Sequence, residues 1–384
     1  MPVLIWLLAL AVFAQGTSEF VFSGLLAGIS TDLDVPVGTA GLLTSAFAVG
    51  MVIGAPAMAV LGRRFPPRLA LTGFLLVFIL AHVVGALSPA FSVLLATRVF
   101  AALANAGFLA VALSTVTRVV PVERQSAAVS VILGSTTLAL IAGVPGGALL
   151  GTLGGWRSTL WAIVAVSVPP LVAVYLGVRP QHDNPGHIAD GDTPPDLHSE
   201  LSVLLTPQVL RPAFLGLLVN AATFCGFTYL AVTGIDRAGV SEDATAGLLA
   251  LFGVGAFLGV TIAGRIQEQH RDMLMSVVTP LLLTSWVAAT VGGDSPVLWW
   301  LLSPVLGLLS FSLGSSLIMR TIAKASGAPT LNGACATTAM NLGALGGPVL
   351  GGIALSSLGL AGPTMVSAGF ILFAAVALCA GPRG

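Results

Sequence analysis

The chain has 384 residues, of which 56% are hydrophobic and 8% charged, with a mean hydropathy of +1.01 and a formal net charge of zero. Soluble domains carry about a quarter charged residues, so there is too little polar surface here to clothe a soluble fold of this length. The composition describes an integral membrane protein.

A hydrocarbon core about 30 Å thick needs about 20 helical residues to cross it, and segmentation on that length predicts twelve spans. In the first half they are Val3 to Ile29, Gly38 to Leu61, Leu69 to Leu87, Phe91 to Thr117, Ala127 to Leu153 and Thr159 to Val178. In the second half they are Pro212 to Ile235, Ala244 to Ala263, Met273 to Val291, Val297 to Met319, Leu331 to Ile353 and Pro363 to Ala380. Met1 to Ala14 lacks a basic n-region and a clear cleavage motif, and the run stays apolar beyond it. It is read as the start of the first span rather than as a signal peptide. Cys225, Cys335 and Cys379 all fall in predicted spans and are read as packing residues.

The fold class expected is an all-α membrane protein of twelve helices in two six-helix bundles, residues 1–178 and 212–384. A polar linker, 179–211, joins them. With the N-terminus in the cytoplasm, Arg63, Arg64, Arg68, Arg118, Arg124, Arg179, Arg211, Arg265, Arg271, Arg320, Lys324 and Arg383 fall inside and only Arg157 and Arg237 outside. That asymmetry follows the positive-inside rule and predicts two cytoplasmic termini and a cytoplasmic linker. His182, His187 and His198 lie in the linker stretch without cysteine partners and are read as solvated. Displacement of the chain by 200 residues lays Thr137, Ala139, Gly143, Gly146, Gly147, Leu150 and Gly151 on Thr337, Ala339, Gly343, Gly346, Gly347, Leu350 and Gly351. A duplicated six-span unit of this kind is a transporter architecture with its site between the halves.

Glu19 is the only acid inside a span and Arg98 the only basic residue of the Lys/Arg type there. Intramembrane charges face a protein-lined or watered interior and mark functional sites. Gln15, Glu19, Phe22 and Leu26 share one face of the first helix, and Arg98 and Asn105 share a face of the fourth. Glu19 is the expected acceptor for Arg98. Two readings stay open: a static pair or backbone-bonded arginine, and a coupling pair in which Glu19 takes up a proton and releases it as Arg98 approaches. His82, in the third span, is read as a packing residue with a proton relay as the alternative. The second half offers neutral groups, Asn220, Thr223, Tyr229 and Asn341, with Asn220, Phe224 and Phe227 on one face, which suits a weakly polar aromatic ligand.

The fifth span is rich in Gly143, Pro145, Gly146, Gly147 and Gly151, a pattern for close approach and bending. Gly62, Arg63, Arg64 and Arg68 form a basic turn after the second span. The single lysine, Lys324, has no glycine-rich phosphate loop before it, so no ATP site is encoded and an ion gradient is the expected energy source. No metalloprotease, paired-cysteine or serine-nucleophile signature is present, and an enzyme is not expected.

These features together resemble the major facilitator superfamily over nearly the whole chain. Gly16-Thr17-Ser18-Glu19-Phe20, Arg98-Val99-Phe100-Ala101-Ala102-Leu103 with Asn105-Ala106-Gly107-Phe108, and Gly154-Gly155-Trp156-Arg157 look like its drug:proton antiporter branch. Within that branch the likeness is to bacterial chloramphenicol exporters and the related sugar-efflux permeases. The resemblance implies proton-coupled efflux of small, amphipathic, largely neutral compounds. It also implies an inner-membrane location, no cofactor beyond the proton gradient, no nucleic-acid partner, and a monomer. It assigns proton transfer to Arg98, places Gly143, Pro145, Gly147 and Gly151 in the antiporter signature, and marks the turn at Gly62 to Arg68 as a cytoplasmic gate. Two positions depart from the family pattern: Gly62, Arg63 and Phe65 stand where an acid, an arginine and a glycine are usual, and Gly143-Val144-Pro145 separates a glycine and proline that are usually adjacent. Sugar or metabolite efflux, ion-driven uptake and a non-transporting receptor are the alternatives.

Overall fold

The computed structural model describes residues 3–61, 66–177, 197–266 and 270–379. Every regular element among them is helical. The first span is α1 (Val3–Phe20), a 3-10 turn Val21–Gly24 and α2 (Leu26–Asp32). The second is α3 (Val37–Ala40) with α4 (Leu42–Leu61). Then come α5 (Pro67–Leu87), α6 (Phe91–Val119), α7 (Val122–Leu138), α8 (Val144–Gly154) and α9 (Trp156–Gly177). The second half comprises α10 (Leu197–Leu204), α11 (Pro207–Thr228), α12 (Leu230–Asp236), α13 (Glu242–Arg265), α14 (Arg271–Val291), α15 (Pro296–Lys324), α16 (Asn332–Leu358) and α17 (Gly362–Cys379). Among the described residues eleven stretches are long and apolar enough to cross a membrane, and the last, Asn332–Leu378, covers α16 and all but the final residue of α17.

The helices are oily outward as well as inward. On α5, Leu71, Leu75, Phe78 and His82 are buried while Leu76, Leu80, Val84 and Leu87 are exposed. Exposed leucines at helical spacing would aggregate a water-soluble protein and suit a helix that meets lipid.

Breaks fall where the chemistry allows them. Proline at the first turn costs no hydrogen bond, so Pro67, Pro207 and Pro296 open helices. The seventh span consequently begins at Pro207, five residues before the expected Pro212, which sits inside the helix. Gly155 and Gly359 take φ values of 76° and 74°, a left-handed turn that glycine enters without strain, and each separates two spans. Between α7 and α8, Ala139–Gly143 forms a π turn just before Pro145. Proline lacks the N–H that an α ladder would use there, and the wider turn lies where that bond is lost.

The expected linker is not wholly irregular where it is described. Its end forms α10, and Glu200, 1% exposed, accepts the backbone N–H groups of Thr330 at 3.2 Å and Leu331 at 3.0 Å, just ahead of α16. A carboxylate there satisfies orphan donors at a helix start.

At one face the start of α5 meets the end of α9 through Arg68 and Tyr175, and the start of α11 meets the end of α17 through Arg211; at the opposite face the turns after α2, α5 and α8 join through Asp32, Ser88 and Arg157, and those after α12 and α14 through Arg237 and Asp294. The two halves meet in the middle and toward the opposite face. Ser45 Oγ donates to the Leu345 carbonyl at 2.8 Å, and Tyr229 Oη lies 2.8 Å from the Pro348 carbonyl and 3.3 Å from that of Gly38. Gly38 and Gly352 are in backbone contact, and Gly253 packs on the Leu140 carbonyl. On the opposite face an ion pair joins Arg157 to Asp32, with Trp156 Nε1 on the same carboxylate at 3.1 Å and Arg157 also on the Ser88 carbonyl at 3.2 Å. Arg237 plays a matching part, pairing with Asp294 at 2.7 Å and donating to the Thr290 carbonyl at 2.9 Å.

Candidate functional site

The site is built on the point where α1 stops being an α-helix. Carbonyls in the last turn of an α-helix have lost their i+4 partners, and Ser18 lies in that turn, three residues before the 3-10 segment begins at Val21. Its carbonyl accepts Arg98 Nη2 at 2.8 Å, and its hydroxyl accepts Arg98 Nη1 at 2.8 Å. The same hydroxyl is 2.7 Å from His82 Nε2, and His82 Nδ1 is 2.7 Å from the Phe78 carbonyl. Arg98 is 2% exposed, and its guanidinium carbon stands 4.1 Å from the Phe22 ring centroid and 4.6 Å from that of Phe47. A desolvated cation between two aromatic faces gains from both. Arg98 Nε is buried without a hydrogen-bond partner.

The expected Arg98–Glu19 bond is therefore not made. Ser18, one residue earlier, takes the guanidinium because it offers two oxygens in the fork geometry an arginine matches. Glu19 is partly exposed and has no hydrogen bond or ion pair among the described residues, although the charge of Arg98 still acts on it through space. His82 is satisfied on both nitrogens, as a packing histidine should be, yet its partner is the residue that holds Arg98.

The other expected residues sort into two groups. Phe22 is fully buried against Arg98, and Gln15 is 0% exposed with both amide atoms unpartnered. Asn105 makes a weak contact to the Met51 sulfur at 3.7 Å. Asn220 donates to the Met340 carbonyl at 2.7 Å and Asn341 to its own Thr337 carbonyl at 3.0 Å. Phe224 and Phe227 join Phe20 of the first half at centroid distances of 5.8 and 6.3 Å, and Phe227 continues to Phe252 at 4.7 Å. This aromatic chain spans both halves at the level of Glu19. Sequence reading named Phe224 and Phe227 and gave no such role to Phe20 or Phe252, which carry no mark distinguishing them from core phenylalanines. It also missed Ser18 and Phe47.

The fifth-span glycines are contact residues. A side chain on Gly143 would strike Thr17, one on Gly147 would meet Val21 and Thr159, and one on Gly151 would strike Leu25. They form a flat stripe on which the first span rests beside Ser18 and Glu19. Gly146 faces open space, and Pro145 follows the π turn. Of the basic turn, Gly62, Arg63 and Arg64 lie outside the described residues, while Arg68 stands 4.8 Å over the Tyr175 ring.

Against known proteins, the family model of the Major Facilitator Superfamily matches residues 8–334. A Streptomyces lividans protein named "Chloramphenicol resistance protein" is 48% identical over 379 residues, covering 98% of this chain and 95% of that protein. The Escherichia coli K12 "Inner membrane transport protein YdhP" is 30% identical, covering 91% of this chain and 88% of its own. Among solved structures, a bacterial homologue of the human lysosomal transporter Spinster, inward-facing and unoccupied, aligns with a TM-score of 0.82 at 16% identity, covering 98% of this chain and 95% of that one.

Proposed function

Because the chain belongs to the major facilitator superfamily, a family of membrane transporters and not of enzymes, we propose that it exports small, amphipathic, largely uncharged compounds in exchange for protons. Amphenicol antibiotics of the chloramphenicol type are the favoured substrates. Its twelve spans form two six-helix bundles that rock about the site between them. It sits in the bacterial cell membrane as a monomer, with both termini and the linker in the cytoplasm.

The observation that carries the coupling is the state of Glu19. Within the span limits expected from sequence it is the only carboxylate, without a partner among the described residues, while the only arginine within those limits is held on the adjacent residue. A carboxylate placed so can take a proton from one side and give it up on the other as access alternates, with Arg98 as the counter-charge that favours release. The aromatic chain Phe20, Phe224, Phe227 and Phe252, with the amides of Asn105, Asn220 and Asn341, supplies apolar faces and a few neutral polar groups for a ligand without strong charge. The substrate class rests on the 48% identity to the chloramphenicol resistance protein. Halves joined near the opposite face agree with a state open to the cytoplasm.

The test is a resistance panel in a host stripped of its own exporters, comparing chloramphenicol, florfenicol, a cationic dye and sugars. Resistance to the amphenicols, lost in Glu19→Gln at normal expression, is expected. A dye-only phenotype refutes the substrate class, and pH-gradient-dependent efflux retained by Glu19→Gln refutes the coupling role.

A further inference from the structure

The hydrogen-bond directions around His82 can be fixed by elimination. A carbonyl only accepts, so His82 Nδ1, 2.7 Å from the Phe78 carbonyl, carries a hydrogen. A guanidinium only donates, so Ser18 Oγ receives Arg98 Nη1. With a neutral ring, Nε2 is a bare acceptor, the Ser18 hydroxyl donates to it at 2.7 Å, and each member of the chain is satisfied. With an imidazolium, Nε2–H and Nη1–H would converge on one oxygen, and the Ser18 hydrogen would lose its acceptor. The charged group acting on His82 is Arg98 of α6, which in turn acts on Glu19 of α1; from α9 the residue lining the adjoining cavity is Leu160.

We propose that His82 is a positioning residue for the coupling arginine: as a fixed Nδ1–H tautomer it orients the Ser18 hydroxyl, and the Ser18–His82 pair is the seat that holds Arg98 away from Glu19. The seat is incomplete, since Arg98 Nε has no partner. It also adjoins a small cavity lined by Phe22, Ala81, Leu94, Thr97 and Leu160. Arg98 thus has two alternative acceptors, one residue apart, and His82 biases the choice toward the neutral one. The inference rests on Glu19 and Arg98 being the coupling pair.

Two measurements test it. Ring-nitrogen NMR of the full-length protein labelled with 15N-histidine, with His82 assigned by its loss in His82→Gln, should show the neutral Nδ1–H form from pH 5.5 to 8. An Nε2–H tautomer or an imidazolium in that range overturns the proposal. In inverted vesicles, His82→Leu and Ser18→Ala free Arg98 to approach Glu19, and the midpoint of the pH profile for chloramphenicol efflux should move toward acid by about one unit, the scale of a new opposite charge nearby. His82→Gln, which keeps an acceptor, should restore the wild-type midpoint. A uniform fall in rate with no movement of the midpoint in Ser18→Ala, the milder variant, means a structural role only and overturns the proposal. Loss of the Glu19 coupling role would show in Glu19→Gln and leave the tautomer result untouched.

Discussion

An arginine taken out of water must find oxygens for its N–H groups or leave a charge uncompensated, and Ser18 supplies two where the α-helix gives way. Arg98→Ala should reduce efflux to background. Asn105→Ala, which forfeits only a weak N–H···S contact, should retain a measurable fraction, and equal wild-type activity in both would remove the charge from the mechanism. On the opposite face Asp32 is held below the ordinary carboxylate range by the hydrogen bond from Arg157 first and that from Trp156 second. Its folded-state value is lowered, so the pair stabilises fully above the unfolded value near 3.9 and is lost as pH falls through the lower one. With side chains 34% and 45% exposed, the pair contributes at most about 1 kcal/mol. Asp32→Asn at pH 7 should therefore raise hydrogen exchange in the α2–α3 and α8–α9 loops only modestly, while wild type shows the same change only below about pH 4. At this scale the sequence announced Glu19 and Arg98 by their scarcity in oily runs. It could not announce Ser18, since serine is common in membrane helices and only the local end of α1 frees its carbonyl.

Glycines on these helices work as flat surfaces. Gly255 and Gly259 lie on the Pro304 and Leu308 carbonyls of α15, and Gly50 lies on the Val99 carbonyl of α6. A methyl group at Gly255 would be driven into backbone, which cannot swing aside as a side chain can, so Gly255→Ala should cost about 1–3 kcal/mol. Reduced yield of folded protein and a lower thermal midpoint in detergent would show it. Gly146→Ala, with nothing near its added carbon, should match wild type in both. The glycine-proline density of the fifth span foretold bending, and the π turn at Ala139–Gly143 is where it occurs. The ends of helices were less legible: the seventh span was expected to begin at Pro212, but the helix begins at Pro207 and carries Pro212 inside it.

Over the whole molecule, the 200-residue displacement seen in glycine spacing reappears in contacts. Gly143, Gly147 and Gly151 pack on Thr17, Val21 and Leu25; Gly343, Gly347 and Gly351 pack on Leu217, Ala221 and Cys225. Two of the positive-φ residues, Asp34 and Gly239, close the equivalent loops after α2 and α12. The halves thus share a packing plan while differing in charge, since the positions matching Ser18 and Glu19 are Leu218 and Val219. On the proposed mechanism, that asymmetry assigns proton handling to the first half and ligand and gating to the second. The orientation predicts that a reporter fused near Asp190 is active in the cytoplasm, and periplasmic activity would invert the whole assignment. Fold and duplication were readable because oil-loving runs and glycine periods are local patterns. The aromatic bridge between halves was not, because Phe20 reaches Phe224 and Phe227 only after the bundles dock.

The Tyr229 hydroxyl touches a carbonyl of each half, Pro348 at 2.8 Å and Gly38 at 3.3 Å, but it has one proton to give. When the halves part, the longer contact breaks and the shorter one keeps the donor satisfied within its own half. Separation there would leave the Tyr229 hydroxyl paired, whereas the Ser45 hydroxyl, which donates to the Leu345 carbonyl at 2.8 Å, would give up its acceptor, so the polar cost of parting the halves falls on Ser45 and not on Tyr229.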